Sequence, residues 1–229
     1  MSAPSRRLLL FTKPAREGRV KTRLIGDLSA AEAAELHAAF LADLLARLSE
    51  GDFELRLAWA LEPEEEIPAG PLPGMRQRGN DLGERLYLAL AEAAREAAVV
   101  AAVGSDLPTL PLELVHLAFA RVEAGADVVL GPAEDGGYYL IALAAGAVSR
   151  RLFEQIAWST ERVLPATLER CRELGLTVEL LPVAADVDTP EDLRRLAEQM
   201  ISADLGCPRT RELLRAWRRL PVDSLKGAA

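Results

Sequence analysis

Short apolar runs bounded by turn residues alternate along this chain with longer stretches whose apolar residues recur at helical spacing. The short runs predict strands, and the longer stretches predict amphipathic helices. The strand candidates are 8–11, 53–61, 99–103, 128–130, 138–143 and 177–183. The helix candidates are 29–48, 81–98, 111–123, 161–174, one that starts at 189–190, and a last one from about 210. Such alternation indicates an α/β protein with a mostly parallel sheet and helices on both faces.

Three of the predicted helices carry a start signal. Ser29 is followed three residues later by Glu32, and Asp81 by Glu84, which is the spacing of a capping box. A Thr-Pro pair at 189–190 suits the cap and first-turn positions of a further helix. These signals define where the three helices are expected to begin.

Half of the 229 residues are apolar and the formal net charge is −8, which is ordinary for a soluble globular protein. We expect one domain over residues 1–229, with a core at about 7–197 and a C-terminal helical extension at about 198–229. No apolar stretch approaches the roughly 20 residues that span a bilayer, and the acidic balance disfavours nucleic-acid partners. Cys171 and Cys207 stand alone, which indicates a reducing compartment; we therefore expect a cytoplasmic protein without a zinc site.

The positive charge of this acidic chain is concentrated in the segment TKPAREGRVKTRL, directly after the first predicted strand. Residues 13–23 contain five basic residues and one acid, a net charge of +4. The segment matches neither common glycine-rich nucleotide-binding pattern, so it is either a solvated charged loop or a phosphate-binding loop of another kind. Because α/β proteins often bind phosphate groups after the first strand, we favour the second interpretation, with Lys21 and Arg23 as fixed cations.

Two aspartates are candidate ligands of a divalent cation. Asp106 follows the apolar strand at 99–103 in the motif VGSDLPTL, at the edge of the sheet where such folds bind ligands. Asp188 precedes the Thr-Pro helix start in ADVDTPEDL. Each aspartate has a structural alternative, because the same position also suits a residue that caps a helix or a turn. Carboxylates are nevertheless the ligands that a hard cation bound to phosphate groups would use.

The motif EDGGYYLIAL places an acidic, glycine-rich turn before the strand predicted at 138–143. Gly136 and Gly137 would let a substrate approach the backbone closely. Asp-Gly before a strand is also typical of a β-hairpin turn, and the residues alone favour that structural explanation. Tyr138 and Tyr139 point to opposite sides of an extended chain, so only one of them could face a ligand.

Six motifs occur along the chain in the order KPAREGRVKTRL, QRGNDLGERL, GSDLPTL, GPAEDGGYYLIAL, WST and DVDTPEDL. Together they resemble a bacterial family of glycosyltransferases described as radical-SAM/selenodomain-associated transferases, some of which are assigned to arsenosugar biosynthesis. The resemblance covers roughly residues 7–197. It implies a nucleotide-diphospho-sugar transferase fold of the GT-A type, which is Rossmann-like.

The resemblance also implies roles for the charged residues already singled out. Asp106 would bind a Mg²⁺ or Mn²⁺ ion. Since the motif GSD departs from the DxD motif of such enzymes, a second carboxylate must come from elsewhere, and similarity to the tail motif of nucleotidyltransferases points to Asp188. The basic loop would hold the phosphate groups of the nucleotide through four residues, which are Lys13, Arg19, Lys21 and Arg23.

By the same resemblance, the glycine-rich turn would lie near the acceptor or the transferred group. Asp135 would be the catalytic residue, either as a base or as an anchor for the acceptor. Gly136, Gly137 and Tyr138 would contact the acceptor itself. These assignments depend on the family and add to the hairpin explanation of the same turn without replacing it.

Three functions remain open at this point. The first is metal-assisted glycosyl transfer from a nucleotide-diphosphate sugar to a small acceptor, with release of a nucleoside diphosphate. The second is nucleotidyl transfer from a nucleoside triphosphate to a phosphorylated small molecule, with release of pyrophosphate. The third is a catalytically silent nucleotide-binding module. The motif DGGYY and the family favour the first, whereas the compact length and the motif DTPED favour the second; the oligomeric state is left open.

Overall fold

Seven strands form one sheet in the computed structural model, which describes residues 5–220. In chain order they are β1 (Arg6–Thr12), β2 (Glu54–Trp59), β3 (Gly74–Arg76), β4 (Val99–Gly104), β5 (Val128–Pro132), β6 (Tyr138–Ala144) and β7 (Val178–Leu180). Their order across the sheet is β3-β2-β1-β4-β6-β5-β7. All neighbouring pairs are parallel except those that involve β6, which runs antiparallel to β4 and β5. The prediction of a mostly parallel α/β sheet is therefore confirmed.

Six α-helices accompany these strands in the described part of the chain. They are α1 (Ala30–Leu48), α2 (Leu82–Ala93), α3 (Leu112–Glu123), α4 (Val163–Glu173), α5 (Pro190–Ser202) and α6 (Pro208–Ala216). No helix within residues 5–220 is long and apolar enough to cross a membrane.

The first of two compact units comprises residues 5–14, 51–104 and 111–185 and contains the whole sheet with α2, α3 and α4. Leu9, Val100 and Ile141 of the sheet are buried against apolar residues of α2 and α4. The neighbouring residues Leu8 and Leu10 are fully buried as well, as expected when successive side chains point to opposite faces. Both faces of the sheet are covered, which accounts for its continuous apolar strands.

The second unit comprises residues 15–50, 105–110 and 186–220 and contains α1, α5 and α6. Its core is formed by Leu36 and Phe40 of α1 with apolar residues of α5 and α6. The buried carboxylate of Asp43 accepts hydrogen bonds from the backbone N–H of Arg209 and from both the N–H and the hydroxyl of Thr210. A side chain of α1 thereby caps the start of α6.

Several element boundaries differ from the sequence prediction. The strand β3 was not predicted, because its three residues follow a proline- and glutamate-rich loop and show no apolar alternation. The helix α2 ends at Ala93 rather than near 98, since the chain turns there before the N–H of Ala98 bonds to Ser5. The strand β7 is shorter than predicted and ends before Pro182, which has no N–H to donate. Residues 221–229 of the expected C-terminal extension lie outside the described residues.

Candidate functional site

The ammonium group of Lys21 lies between two carboxylates that are far apart in the sequence. Its Nζ atom contacts Oδ1 of Asp106 and lies 3.1 Å from Oδ1 of Asp188. It also donates a hydrogen bond to the carbonyl O of Val187 over 2.8 Å. The side chain of Lys21 is 1% exposed, whereas the two aspartates are 45% and 37% exposed. A buried cation therefore joins two carboxylates that remain accessible to solvent.

The backbone of Lys21 is left-handed, with φ 46° and ψ 38°. For a residue other than glycine this conformation costs about 1–2 kcal/mol. It persists only where the surroundings fix the residue, and it is common at functional sites. Here the surroundings include the Phe40 ring, whose centroid lies 5.3 Å from the Lys21 Nζ atom. The residue that contacts both carboxylates therefore has a strained backbone conformation.

Asp106 is positioned by hydrogen bonds to the carbonyl groups of its loop. The N–H of Val187 donates to the carbonyl O of Asp106 over 3.0 Å. The guanidinium of Arg47, which belongs to α1, donates to the carbonyl O atoms of Pro108 and Leu110. Neither contact was foreseen from the sequence, in which Arg47 is one of many arginines in helical stretches. The loop that carries Asp106 is thereby tied to two other segments of the second unit.

Asp188 is positioned by the start of α5. Thr189 and Asp192 form a complete capping box, so the cap function that the sequence left open for Asp188 belongs to Thr189. One oxygen of Asp192 accepts from the N–H of Asp188 and from the N–H and hydroxyl of Thr189. Burial acts to raise the pKa of Asp192, but these hydrogen bonds, with one from Arg195, outweigh it and hold the pKa below its usual value. The Asp188 carboxylate takes no part in this capping box and contacts Lys21 and Arg23 instead.

The other basic side chains of this loop are exposed. Arg23 is 67% exposed, and its Nη1 atom lies 3.8 Å from Oδ2 of Asp188. Lys13, Arg16 and Arg19 are also exposed. The N-terminus of α1 is closed by its own capping box, in which Ser29 and Glu32 satisfy each other's backbone. The charge that this loop presents to an anion therefore lies on its side chains.

The carboxylate pair fits part of a magnesium or manganese site. Asp106 and Asp188 converge on one point, and Mg²⁺ is commonly held by one or two carboxylates together with substrate phosphates and water. Within residues 5–220 no group of three or more His, Cys, Asp or Glu side chains is placed to hold a metal ion. The pair therefore suits a metal that arrives with phosphate groups and not a closed structural site.

The turn that carries Asp135 is a β-hairpin between β5 and β6, as the structural explanation of the motif DGGYY predicted. Asp135 is exposed, and its Oδ1 atom accepts from the N–H of Gly137 over 2.9 Å. Gly136 has a φ of +87°, and a Cβ atom there would lie 2.4 Å from the carbonyl O of Glu161. Backbone geometry thus accounts for the Asp-Gly-Gly sequence, while the catalytic role of Asp135 and the acceptor contacts of the glycines stay predictions.

The two tyrosines after this turn point in opposite directions, as predicted. Burial raises the pKa of Tyr138, whose hydroxyl lies inside the first unit and whose ring packs edge-on against Trp158. The Tyr139 hydroxyl donates to the carbonyl O of Pro182 over 3.0 Å, and burial raises its pKa to about 12. An acceptor contact through the Tyr138 hydroxyl is not favoured by this geometry, so a contact of Tyr138 with the acceptor stays a prediction.

Gln77 is a polar residue of the first unit that the sequence did not single out as a site residue. It follows β3 directly, and its N–H donates to the carbonyl O of Trp59 over 2.8 Å. Its Nε2 atom donates to the carbonyl O of Ala58 over 2.8 Å and lies 3.4 Å from that of Thr12. In the sequence, Gln77 is distinguished from other polar residues only by its position in the motif QRGNDLGERL.

Comparison with known proteins places this chain among transferases. A family model described as "Uncharacterized protein conserved in bacteria (DUF2064)" matches residues 58–160. The 3-phospho-D-glycerate guanylyltransferase of Phenylobacterium zucineum (strain HLK1) is 31% identical over 188 residues, which cover 77% of this chain and 84% of that protein.

Solved structures agree with the fold. A candidate nucleotide-diphospho-sugar transferase from Desulfovibrio desulfuricans G20 superposes with a TM-score of 0.89 at 31% identity, covering 95% of this chain and 96% of that one. A cytidylyltransferase from Leptospira borgpetersenii has a TM-score of 0.59 at 14% identity over 99% of each chain, which shows the fold alone. The narrower resemblance to radical-SAM-associated glycosyltransferases stays a prediction. This chain belongs to the bacterial DUF2064 family and has a GT-A-like nucleotide-diphospho-sugar transferase fold.

Proposed function

We propose that this protein is a metal-dependent nucleotidyltransferase that transfers a nucleoside monophosphate, GMP in the first instance, to a phosphorylated small acid. The observation that carries the proposal is the convergence of Asp106 and Asp188 on Lys21 of the basic loop, whose other basic side chains are exposed. The base and the class of acceptor are taken from the guanylyltransferase that is 31% identical over most of both chains. An acceptor similar to 3-phospho-D-glycerate carries both a phosphate and a carboxylate.

In the proposed reaction an oxygen of the acceptor phosphate attacks the α-phosphorus of GTP. A new bond forms between that oxygen and phosphorus, and the bond to the bridging oxygen of the β-phosphate breaks. Pyrophosphate leaves with the electron pair of the broken bond. Because the attacking phosphate oxygen is already ionised near neutral pH, the step needs no general base. A catalytic base at Asp135 is therefore not required by this reaction.

The charged residues of the second unit would supply electrostatic stabilisation. Negative charge builds up on the triphosphate as pyrophosphate leaves, and fixed cations at that place lower the barrier. Lys21, Arg19 and Arg23 are the residues proposed to provide such charge, with Arg23 already next to Asp188. Asp106 and Asp188 would hold Mg²⁺ or Mn²⁺, which when bound neutralises phosphate charge and orients the phosphate groups.

Glycosyl transfer, the first expectation from the sequence, is the second candidate. It is favoured by the similarity to the Desulfovibrio protein, which is described as a candidate nucleotide-diphospho-sugar transferase. Both reactions would use the same carboxylate pair and basic loop, because both have a phosphate leaving group. They differ in the product, which is pyrophosphate in one case and a nucleoside diphosphate in the other.

The proposal is tested by measuring product release from the purified protein. One series contains GTP, CTP, ATP or UTP with 3-phospho-D-glycerate and Mg²⁺ or Mn²⁺, and pyrophosphate is assayed. A second series contains nucleotide sugars with small acceptors, and nucleoside diphosphate is assayed. Acceptor-dependent pyrophosphate release supports nucleotidyl transfer. Nucleoside diphosphate release alone would replace it by glycosyl transfer, and no release in either series would favour a silent binding module.

A further inference from the structure

We propose that Lys21 and the divalent metal ion compete for the same carboxylate pair, so that the metal binds only as the Lys21 ammonium leaves. The inference rests on the proposed function, because it takes Asp106 and Asp188 to be the metal ligands. The position of the Lys21 ammonium would exclude the metal ion from the carboxylate pair. Because the ammonium already contacts Oδ1 of both aspartates, a metal ion that coordinates these oxygen atoms has to displace it.

The ammonium group of Lys21 has three polar partners. Its Nζ atom contacts Oδ1 of both aspartates, and its third polar partner is the carbonyl O of Val187. These three partners use the three N–H donors of an ammonium group. Lys21 is thus bonded as a resident cation of the pair and not as a residue extended toward solvent.

The charges around Asp106 and Asp188 also disfavour binding of the metal ion alone. Two carboxylates with one buried ammonium leave one net negative charge, and the guanidinium of Arg23 at 3.8 Å from Asp188 offsets it further. A dication that approaches this arrangement meets two cations and little remaining negative charge. Coulomb interactions at such distances are substantial even when partly screened, so binding of the metal alone is weakened.

Binding of phosphate groups would relieve this competition between Lys21 and the metal ion. A triphosphate presents several anionic oxygens, with which the ammonium of Lys21 can pair after it leaves the aspartates. The same oxygens complete the coordination of a metal ion at the vacated carboxylates. Metal and nucleotide then favour each other's binding, and by linkage the effect is reciprocal. Lys21 acts in this account as a positioning residue that keeps the metal from binding without phosphate.

The test measures Mn²⁺ binding to the full-length protein without nucleotide, by the EPR signal of free Mn²⁺. Lys21→Met removes the competing charge, and Lys21→Gln does so while keeping a donor for the Val187 carbonyl. Arg194→Met is the matched control, because Arg194 is an exposed cation of the same unit that pairs with Glu191. We expect at least about ten-fold tighter Mn²⁺ binding in both Lys21 variants than in the wild type and in the control.

A further variant identifies the ligands involved. Adding Asp106→Asn to Lys21→Met must abolish the gain in Mn²⁺ affinity. If Lys21→Met does not fold, Lys21→Gln answers the question alone. Mn²⁺ binding to the Lys21 variants that is no tighter than to the wild type would overturn the inference, and so would a gain that survives Asp106→Asn.

Failure of the inference is distinguishable from failure of the proposed function. Pyrophosphate release by the wild type, together with unchanged Mn²⁺ affinity in the Lys21 variants, would reject the competition and keep nucleotidyl transfer. Tighter, Asp106-dependent Mn²⁺ binding without pyrophosphate release would keep the competition and reject nucleotidyl transfer.

Discussion

The N–H of Val187 donates a hydrogen bond to the carbonyl O of Asp106 over 3.0 Å. This backbone contact joins the loop after β4 to the segment before α5, and it places Asp188 beside Asp106. The Lys21 ammonium then contacts both carboxylates and the Val187 carbonyl. The candidate metal ligands are therefore brought together by main-chain hydrogen bonding as well as by charge.

Asp106→Asn and Asp188→Asn should each lower kcat/KM for pyrophosphate release by about a hundred-fold or more. Each substitution removes a carboxylate that the metal needs, and loss of one strong electrostatic stabiliser typically has an effect of this order. Circular dichroism should show that both variants keep their fold. Asp204→Asn is the control, because Asp204 is an exposed acid of the same unit that lies away from the pair. Near wild-type activity in either site variant would remove that residue from the metal site.

Arg47→Met should destabilise the protein by about 3 kcal/mol, measured by urea denaturation. Arg47 donates to the carbonyl O atoms of Pro108, Leu205 and Gly206, and its loss leaves these acceptors without a charged donor. Arg194→Met, which removes an exposed ion pair on α5, should cost less than about 1 kcal/mol. Equal effects of the two substitutions would show that Arg47 does not hold the Asp106 loop.

Gly136→Ala should destabilise the protein by about 2 kcal/mol or more, measured as the free energy of unfolding in urea. Gly136 has a φ of +87°, and the added Cβ atom would lie 2.4 Å from the carbonyl O of Glu161. Gly146→Ala is the matched control, because no atom outside residues 145–147 lies within 4 Å of its Cβ position. If Gly136→Ala lowers activity but not stability, the glycine serves the acceptor and not the hairpin.

Acidification should remove a part of the stability that depends on Glu123. The hydrogen bond from Arg6 is the largest cause that lowers the pKa of this glutamate, and burial acts against it. A lowered pKa in the folded state contributes stability that is full above the unfolded pKa, about 4.3, and is lost as the pH falls through the folded pKa.

The measurement is urea denaturation of the wild type and of Glu123→Gln between about pH 6 and pH 3. The difference in the free energy of unfolding should be largest near pH 6 and should shrink toward pH 3. Glu198→Gln, at an exposed position on α5, is the control for the loss of one negative charge. A difference between wild type and Glu123→Gln that does not change with pH would contradict the assignment.

Local signals in the sequence predicted much of the fold. The capping box at Ser29 and the helix start at Thr189 and Pro190 lie where the sequence places them, because such caps are made within four consecutive residues. At the predicted box of Asp81 the structure differs: Asp81 accepts from the N–H of Glu84, but Glu84 reaches back to Asn80 and not to Asp81. The strand β6 was predicted at 138–143, whereas its antiparallel direction was foreseen only through the hairpin explanation of the motif DGGYY.

The contacts that assemble the candidate site could not be predicted in the same way. Arg47 looks like any arginine of a helix until the loop at 105–110 lies beside it. Lys21 was expected to face a phosphate, and its bonding to both aspartates depends on residues more than 80 positions away. Charge and position along the chain indicated the three residues, the resemblance added their expected roles, and the tertiary structure shows how they interact.

The most direct test of nucleotidyl transfer uses GTP that is radiolabelled at its α-phosphate. The protein is incubated with this GTP, 3-phospho-D-glycerate and Mg²⁺, and the products are separated by ion-exchange chromatography. We predict that the label appears in a new compound that contains both guanosine and the acceptor, with one pyrophosphate released for each molecule formed. Label that remains in GTP with every phosphorylated acid tested, while nucleotide sugars yield nucleoside diphosphate, would contradict the account.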